Sequence, residues 1–129
     1  MVYLDASAIV KLVKREAESL ALRHALASHP DRVSSALSVV EVLRALRRSG
    51  AGATILMEAQ TVLDRMGLIG IDASILRAAA SLGPAGLRSL DAIHLATATS
   101  LPVKAPVVTY DHRLAEAAIA AGLPVLSPR

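Results

Sequence analysis

The stretch VYLDASAIVKL, residues 2–12, decides how the rest of the chain is read. Val2 to Leu4 is a short apolar run rich in strand formers. Asp5 interrupts it, small residues follow, and the pattern from about Ala6 onward is helical. A second stretch repeats this order: VVTYDHRLAEAA, residues 107–118. There Pro106 to Thr109 reads as a strand, and Asp111 opens a helix reaching Ala121. A strand feeding directly into a helix, twice, is the unit of a parallel sheet covered by helices. In such sheets ligands collect beyond the carboxyl ends of the strands. Asp5 and Asp111 both stand there.

The segments between fit the same scheme. A helix is expected over about Glu16 to Ser28, and His29-Pro30-Asp31 ends it. Arg32 to Ser35 reads as a strand, Ser38 to Arg48 as a helix, and Gly50 and Gly52 as a break. A long helix follows from about Thr54 to Met66, then a strand at Leu68 to Ile71. Asp72 is placed to cap the next helix. Gly83-Pro84-Ala85-Gly86 is another break, after which Ser89 is expected to cap a helix reaching Ser100. Val125-Leu126 forms a last short strand. The expected class is α/β: a short parallel β-sheet flanked by helices, in one domain spanning residues 1–129. No repeat, linker or low-complexity tract is visible.

Composition narrows the chemistry. The chain is 53% hydrophobic with no Trp, no Phe and two tyrosines, so its core is built from Ala, Leu, Val and Ile. It has no cysteine, which excludes disulfides, thiolate metal sites and a cysteine nucleophile, and suits a cytoplasmic location. Neither a basic leader nor an apolar run of about 20 residues is present, so neither secretion nor membrane insertion is expected. The net charge is +3. If four acids cluster at one site, the remaining surface is more basic than that total, which suits a nucleic-acid partner.

Those four acids are Asp5, Glu41, Asp91 and Asp111. Each has a plain structural explanation when taken alone. Asp5 and Asp111 can cap helices, and Asp91 in a first turn complements the helix dipole. Glu41 can pair with Arg44 and Arg48, which share its polar stripe at 100° per residue. Together they point elsewhere. Four carboxylates in one pocket would repel, raising their pKa values unless cations neutralise them. Hard divalent ions with oxygen ligands do this. The helix carrying Asp91 is apolar on most sides, and a buried carboxylate needs a partner or a metal.

Several neighbours are candidates for support. Ser7 is placed to hydrogen-bond a carboxylate or a metal-bound water, and Thr109 to orient Asp111. Arg44, Arg48, His94 and Arg113 are candidate substrate-binding groups, guanidiniums being suited to bidentate phosphate contact. A half-buried, hydrogen-bonded role is the simpler expectation for His94. Lys11, Lys14 and Arg15 read as a solvated basic helix end. The other acids (Glu16, Glu18, Asp31, Glu58, Asp64, Asp72 and Glu116) read as surface or capping groups.

The strings VYLDASAIVKL, SVVEVLRAL, SLDAIHLATA and VVTYDHRLAEAA, followed by GLPVLSP, occur in this order over essentially the whole chain. Together they resemble the PIN-domain ribonucleases, most closely the small VapC-type toxins of type II toxin–antitoxin pairs. That resemblance implies a PIN-like three-layer α/β/α fold. It also implies an Mg2+- or Mn2+-dependent endoribonuclease that hydrolyses RNA with metal-activated water at the quartet Asp5, Glu41, Asp91 and Asp111. Thr109 matches the family's hydroxyl residue before the last aspartate. The resemblance further implies a homodimer and a cognate antitoxin. Asp5 and Asp91 are the expected direct metal ligands, with Glu41 and Asp111 acting through water, at a second metal or on the nucleophile.

Two other readings compete. One is a non-catalytic PIN-like module that binds RNA or a partner; retention of all four acids argues against it. The other is an Asp-dependent phosphatase, which would carry a second aspartate where Ser7 stands. Mean hydropathy of +0.50 suggests more apolar material than one small core buries. Partner patches are expected around Ile55, Leu56, Val62, Leu63 and Met66, and around Ile9, Leu12, Val13, Leu20 and Leu22.

Overall fold

A computed structural model describes all of Met1–Arg129. Its elements in chain order are β1 (Val2–Leu4), α1 (Ala6–Val13), α2 (Ser19–Leu26), β2 (Arg32–Ser35), α3 (Leu37–Arg48), α4 (Ala53–Asp64) and β3 (Gly67–Ile69). There follow α5 (Ala73–Ser81), α6 (Ser89–Thr99), β4 (Val107–Val108), α7 (His112–Ala120) and β5 (Val125–Leu126). The five strands form one sheet in the order β3-β2-β1-β4-β5. Every pairing is parallel, with Tyr3 opposite Val33 on one side and Val107 on the other.

Alternation along β1 divides the core. Val2 and Leu4 pack with Ala8, Ile9, Leu22, Val42, Leu46 and Leu63 of α1 to α4. Tyr3 points the other way, into a second cluster with Val33, Val107, Leu95 of α6 and Leu114 of α7. Successive strand side chains face opposite sides of a sheet, so three residues of β1 anchor both helical layers. The expected three-layer α/β/α architecture is the one found. The strand order reverses direction next to β1, between its neighbours β2 and β4. That switch point is where an open α/β sheet leaves a crevice for a ligand.

The local differences have local causes. The helix expected from Glu16 begins only at Ser19. The Ser19 hydroxyl accepts from the Glu16 backbone N–H at 2.9 Å, and Lys11 Nζ holds Glu16 at 2.8 Å and Glu18 at 2.9 Å. Lys11 therefore staples a turn instead of ending α1 as a solvated charge. Ser89 is the first residue of α6 and not its cap. Arg88 takes the extended cap conformation and no side chain satisfies the end. Asp72 does cap α5, accepting from the Ile75 N–H at 2.8 Å. Gly50 closes α3 with φ +80, a conformation that suits glycine.

The apolar residues marked for partner patches divide. Ile9, Leu12, Val13, Leu22 and Leu63 belong to the core, and Ile55, Leu56, Val62 and Met66 pack against it half-buried. Leu20, at 73% exposed, is the one fully displayed member, joined by Met57 at 70%. No helix is long and apolar enough to cross a membrane.

Candidate active site

Asp5, Glu41, Asp91 and Asp111 line one open cavity of about 510 Å3 above the carboxyl ends of β1 and β4. Two of them arrive on turns that leave the central strands, and the other two on α3 and α6. A groove of about 550 Å3 on another face is slightly larger, so the acid cavity is distinguished by chemistry and not by size.

Asp5 is 4% exposed and heavily partnered. Its Oδ1 accepts from the Ala8 N–H at 3.0 Å and from the Ser7 hydroxyl at 2.7 Å. Its Oδ2 accepts from the Thr109 hydroxyl at 2.7 Å. The capping and functional readings of Asp5 are therefore compatible. Burial raises its pKa, while the hydrogen bonds from Ser7, Thr109 and the Ala8 N–H act to lower it. Loss of hydration, and not the expected repulsion between carboxylates, is the cause of that rise.

Thr109 corrects one expectation. Its proton goes to Asp5 and not to the Asp111 carboxylate. It meets Asp111 only by accepting that residue's backbone N–H at 3.0 Å. Asp111 Oδ1 caps α7, accepting from the Arg113 and Leu114 N–H groups at 2.8 and 3.3 Å. Ser7 ties the same turn down, accepting from the Tyr110 N–H at 2.9 Å. Two hydroxyls thus lock the β1–α1 and β4–α7 turns to each other.

A residue that went unnoticed in the sequence stands between the two outer acids. Arg88 donates from Nε to Asp91 Oδ2 at 3.2 Å and from Nη2 to Asp111 Oδ2 at 3.1 Å. Its position three residues before Asp91, next to a helix start, was the available signal.

His94 differs from the half-buried residue expected. It is buried, with Nδ1 2.7 Å from the Tyr3 hydroxyl and Nε2 2.5 Å from Glu41 Oε1. Both ring nitrogens are engaged, so His94 holds Glu41 and offers neither nitrogen to a substrate. Arg44 and Arg48 share the cavity with Glu41, as their helical stripe predicts. Arg113 does not join them. Its side chain lines a separate cavity with Pro84, Leu87 and Glu116.

No three Asp, Glu or His side chains are drawn together as a ready metal cage. Arg88 lies between Asp91 and Asp111, and Glu41 is turned to His94. The donors nevertheless fit a hard divalent cation. They are carboxylate oxygens, and magnesium takes only one or two of these, keeping several waters.

A parallel sheet in this order, with carboxylates gathered at its switch point, defines the class: the chain belongs to the PIN-domain family, whose model matches residues 2–120. Its relatives are more specific. It is 46% identical to Ribonuclease VapC46 of Mycobacterium tuberculosis, over 98% of this chain and 97% of that protein. It is 44% identical to Ribonuclease VapC35 of the same species, over 99% and 97%. The crystal structure of Mycobacterium tuberculosis VapC20, a sarcin–ricin-loop-cleaving toxin, shares the fold. It superposes with a TM-score of 0.79 at 17% identity, covering 99% of this chain and all of that one. A toxin–antitoxin complex from Klebsiella pneumoniae gives 0.74 at 21% identity, over 100% and 98%.

Proposed function

We propose that this chain is a divalent-metal-dependent endoribonuclease and the toxin of a toxin–antitoxin pair. The observation that carries the reading is the convergence of Asp5, Glu41, Asp91 and Asp111 on one cavity that also holds Arg44 and Arg48. Relatives sharing nearly half their residues over the full chain are named ribonucleases, which supports RNA as the substrate class.

Each residue has a task in this mechanism. A bound Mg2+ or Mn2+ would supply Lewis acidity and lower the pKa of water near the scissile phosphorus. Asp5 and Asp91 are the residues to hold it, being the two most buried acids of the four. Ser7 and Thr109 keep both Asp5 oxygens aimed. Glu41 accepts a proton or orients water at the cavity wall. Arg44 and Arg48 draw the RNA backbone across the cavity, guanidinium to phosphate. Arg88, balancing Asp91 and Asp111 without a metal, becomes available to phosphate once a metal neutralises them.

A second surface suits the antitoxin. A groove of about 550 Å3 runs between α1, α2 and α4, with Leu12, Val13, Met57 and Val62 along it and Arg23 at its edge. An amphipathic antitoxin helix laid with its apolar face in the groove matches that pattern, which Glu58 lines together with Arg23.

The test is cleavage of total RNA with Mg2+ or with EDTA, for wild type, Asp5→Asn and Asp91→Asn. We expect cleavage only with metal. Each variant should lose roughly 10–100-fold or more, the scale seen even for outer partners of metal ligands. Products should carry 5′-phosphate and 3′-hydroxyl ends, because attack by water does not use the 2′-hydroxyl. Full activity in both variants, or 2′,3′-cyclic phosphate ends, would overturn the assignment.

A further inference from the structure

Glu41 is the least anchored of the four acids. Asp5 and Asp111 are fixed as caps by backbone N–H groups of their own helices. Asp91 is held by Arg88, the residue that caps the start of α6. Glu41 lies within α3, on a long side chain, and its one hydrogen-bond partner is His94 Nε2 at 2.5 Å. His94 is in turn held by one side chain, Tyr3, whose hydroxyl is 2.7 Å from Nδ1. The aromatic rings meet edge-on, with centroids 5.9 Å apart and planes 75° apart. Tyr3 is completely buried and His94 nearly so. Tyr3 cannot reach RNA, both ring nitrogens of His94 are already engaged, and the nuclease mechanism leaves both residues without a task.

With the imidazole of His94 neutral, the hydrogen-bonding capacity of each group orders the protons along this chain. An ionised Glu41 only accepts, so Nε2 must carry the hydrogen between them. A neutral imidazole then has a bare Nδ1, and Tyr3 is the donor within reach. A phenol carries a donor hydrogen, and the Tyr3 hydroxyl lies 2.7 Å from that nitrogen. The tautomer of a histidine is set by the bond its other nitrogen makes.

We propose that Tyr3 is a positioning residue of this site. From β1, its buried hydroxyl sets His94 of α6 in the tautomer whose Nε2–H holds the Glu41 carboxylate of α3 at the cavity. The device joins the two helical layers across the carboxyl end of the sheet. It reaches the chemistry through two residues that never touch substrate. It rests on the nuclease reading only where activity is measured.

The experiment pairs nitrogen NMR of the full chain with kinetics. In wild type labelled at histidine nitrogens, the neutral form of His94 should show an unprotonated Nδ1 and a protonated Nε2. Tyr3→Phe keeps the ring and its packing, and should convert that signature to a tautomer mixture or an imidazolium. With Mg2+, Tyr3→Phe should lower kcat roughly tenfold and leave KM within about twofold, the size of one net hydrogen bond at a buried site. In a His94→Gln background, where the amide can still donate to Glu41, adding Tyr3→Phe should change kcat no further. Two results overturn the proposal: a wild-type His94 protonated on Nδ1, or a Tyr3→Phe variant with unchanged His94 signals. A drop in thermal midpoint with the tautomer and kcat retained would show packing alone and also overturn it. If no RNA is cleaved under any condition, the nuclease reading fails while the nitrogen spectra still decide this one.

Discussion

Replacing Asp5 by Asn tests the site through stability, without any substrate. The carboxyl is 4% exposed, and its pKa is raised chiefly by burial. A raised pKa means the folded protein binds a proton more readily than the unfolded chain does. By linkage the stabilising contribution is fully present below the ordinary value of 3.8 and is lost as pH rises through the raised folded value. Ionising the dehydrated Asp5 carboxyl in the metal-free protein therefore costs about 1.4 kcal/mol per unit of upward shift. Asparagine has nearly the same shape and caps a helix as well as aspartate does. Its Oδ1 keeps the bonds from Ala8 and Ser7. Its amide then faces Thr109 Oγ1, which must turn its own proton away. Losing that charge-assisted bond costs about 1.5–3 kcal/mol. Because burial outweighs the three hydrogen bonds in setting the direction for Asp5, the balance favours the neutral side chain. Asp5→Asn should raise the metal-free thermal midpoint at pH 7 by about 3–5 °C per kcal/mol gained. It should also remove the loss of stability on raising pH above 3.8. Saturating Mg2+ should stabilise wild type by the binding term and leave the variant unmoved. Calorimetry over pH 4–8, with and without metal, reads all three. A lower midpoint for Asp5→Asn together with the wild-type pH profile would refute the reasoning and leave Asp5 an ordinary cap.

The site and surface make two further predictions. Arg88→Ala should change the midpoint little, because ion pairs from a 58% exposed side chain contribute little. It should tighten Mg2+ binding in titration calorimetry about fivefold or more, as a competing positive charge is removed; equal or weaker binding would show that Arg88 does not oppose the ion. The chain should scatter light in solution as a homodimer, twice 13.4 kDa, and Met57→Asp in the α1–α2–α4 groove should abolish antitoxin capture without dissociating that dimer. A monomeric wild type, or capture that survives the substitution, counts against the respective surface.

The sheet was legible because β1 and β4 each run straight from apolar residues into a helix-opening aspartate, a pattern that needs no tertiary information. The acids were legible for the same reason, as residues whose local explanations were each adequate yet collectively redundant. What stayed hidden depends on distance. Nothing near Tyr3 announces a hydroxyl bonded to His94, 91 positions away. Thr109 was given to Asp111 because the two are neighbours in sequence. Once β1 and β4 pair, Asp5 is the nearer acceptor. Arg113 looked equivalent to Arg44 and Arg48 by residue type, but α7 turns its side chain to another cavity. The start of α2 moved because Lys11 and Ser19 stabilise a turn that helix propensity alone would have extended.

The pairing of β1 between β2 and β4 also has a consequence for the chain as it is made. The Asp5–Thr109 hydrogen bond spans 104 positions. Ribosomes add about 5–20 residues per second, so the first acid waits on the order of 5–20 s for the strand that completes its surroundings. Until then Asp5 lacks the Thr109 hydroxyl, and β1 lacks the neighbouring strand that leads to Asp111. A nascent or prematurely terminated chain that stops before β4 therefore has an incomplete site, with Asp111 missing and one Asp5 oxygen without its Thr109 donor.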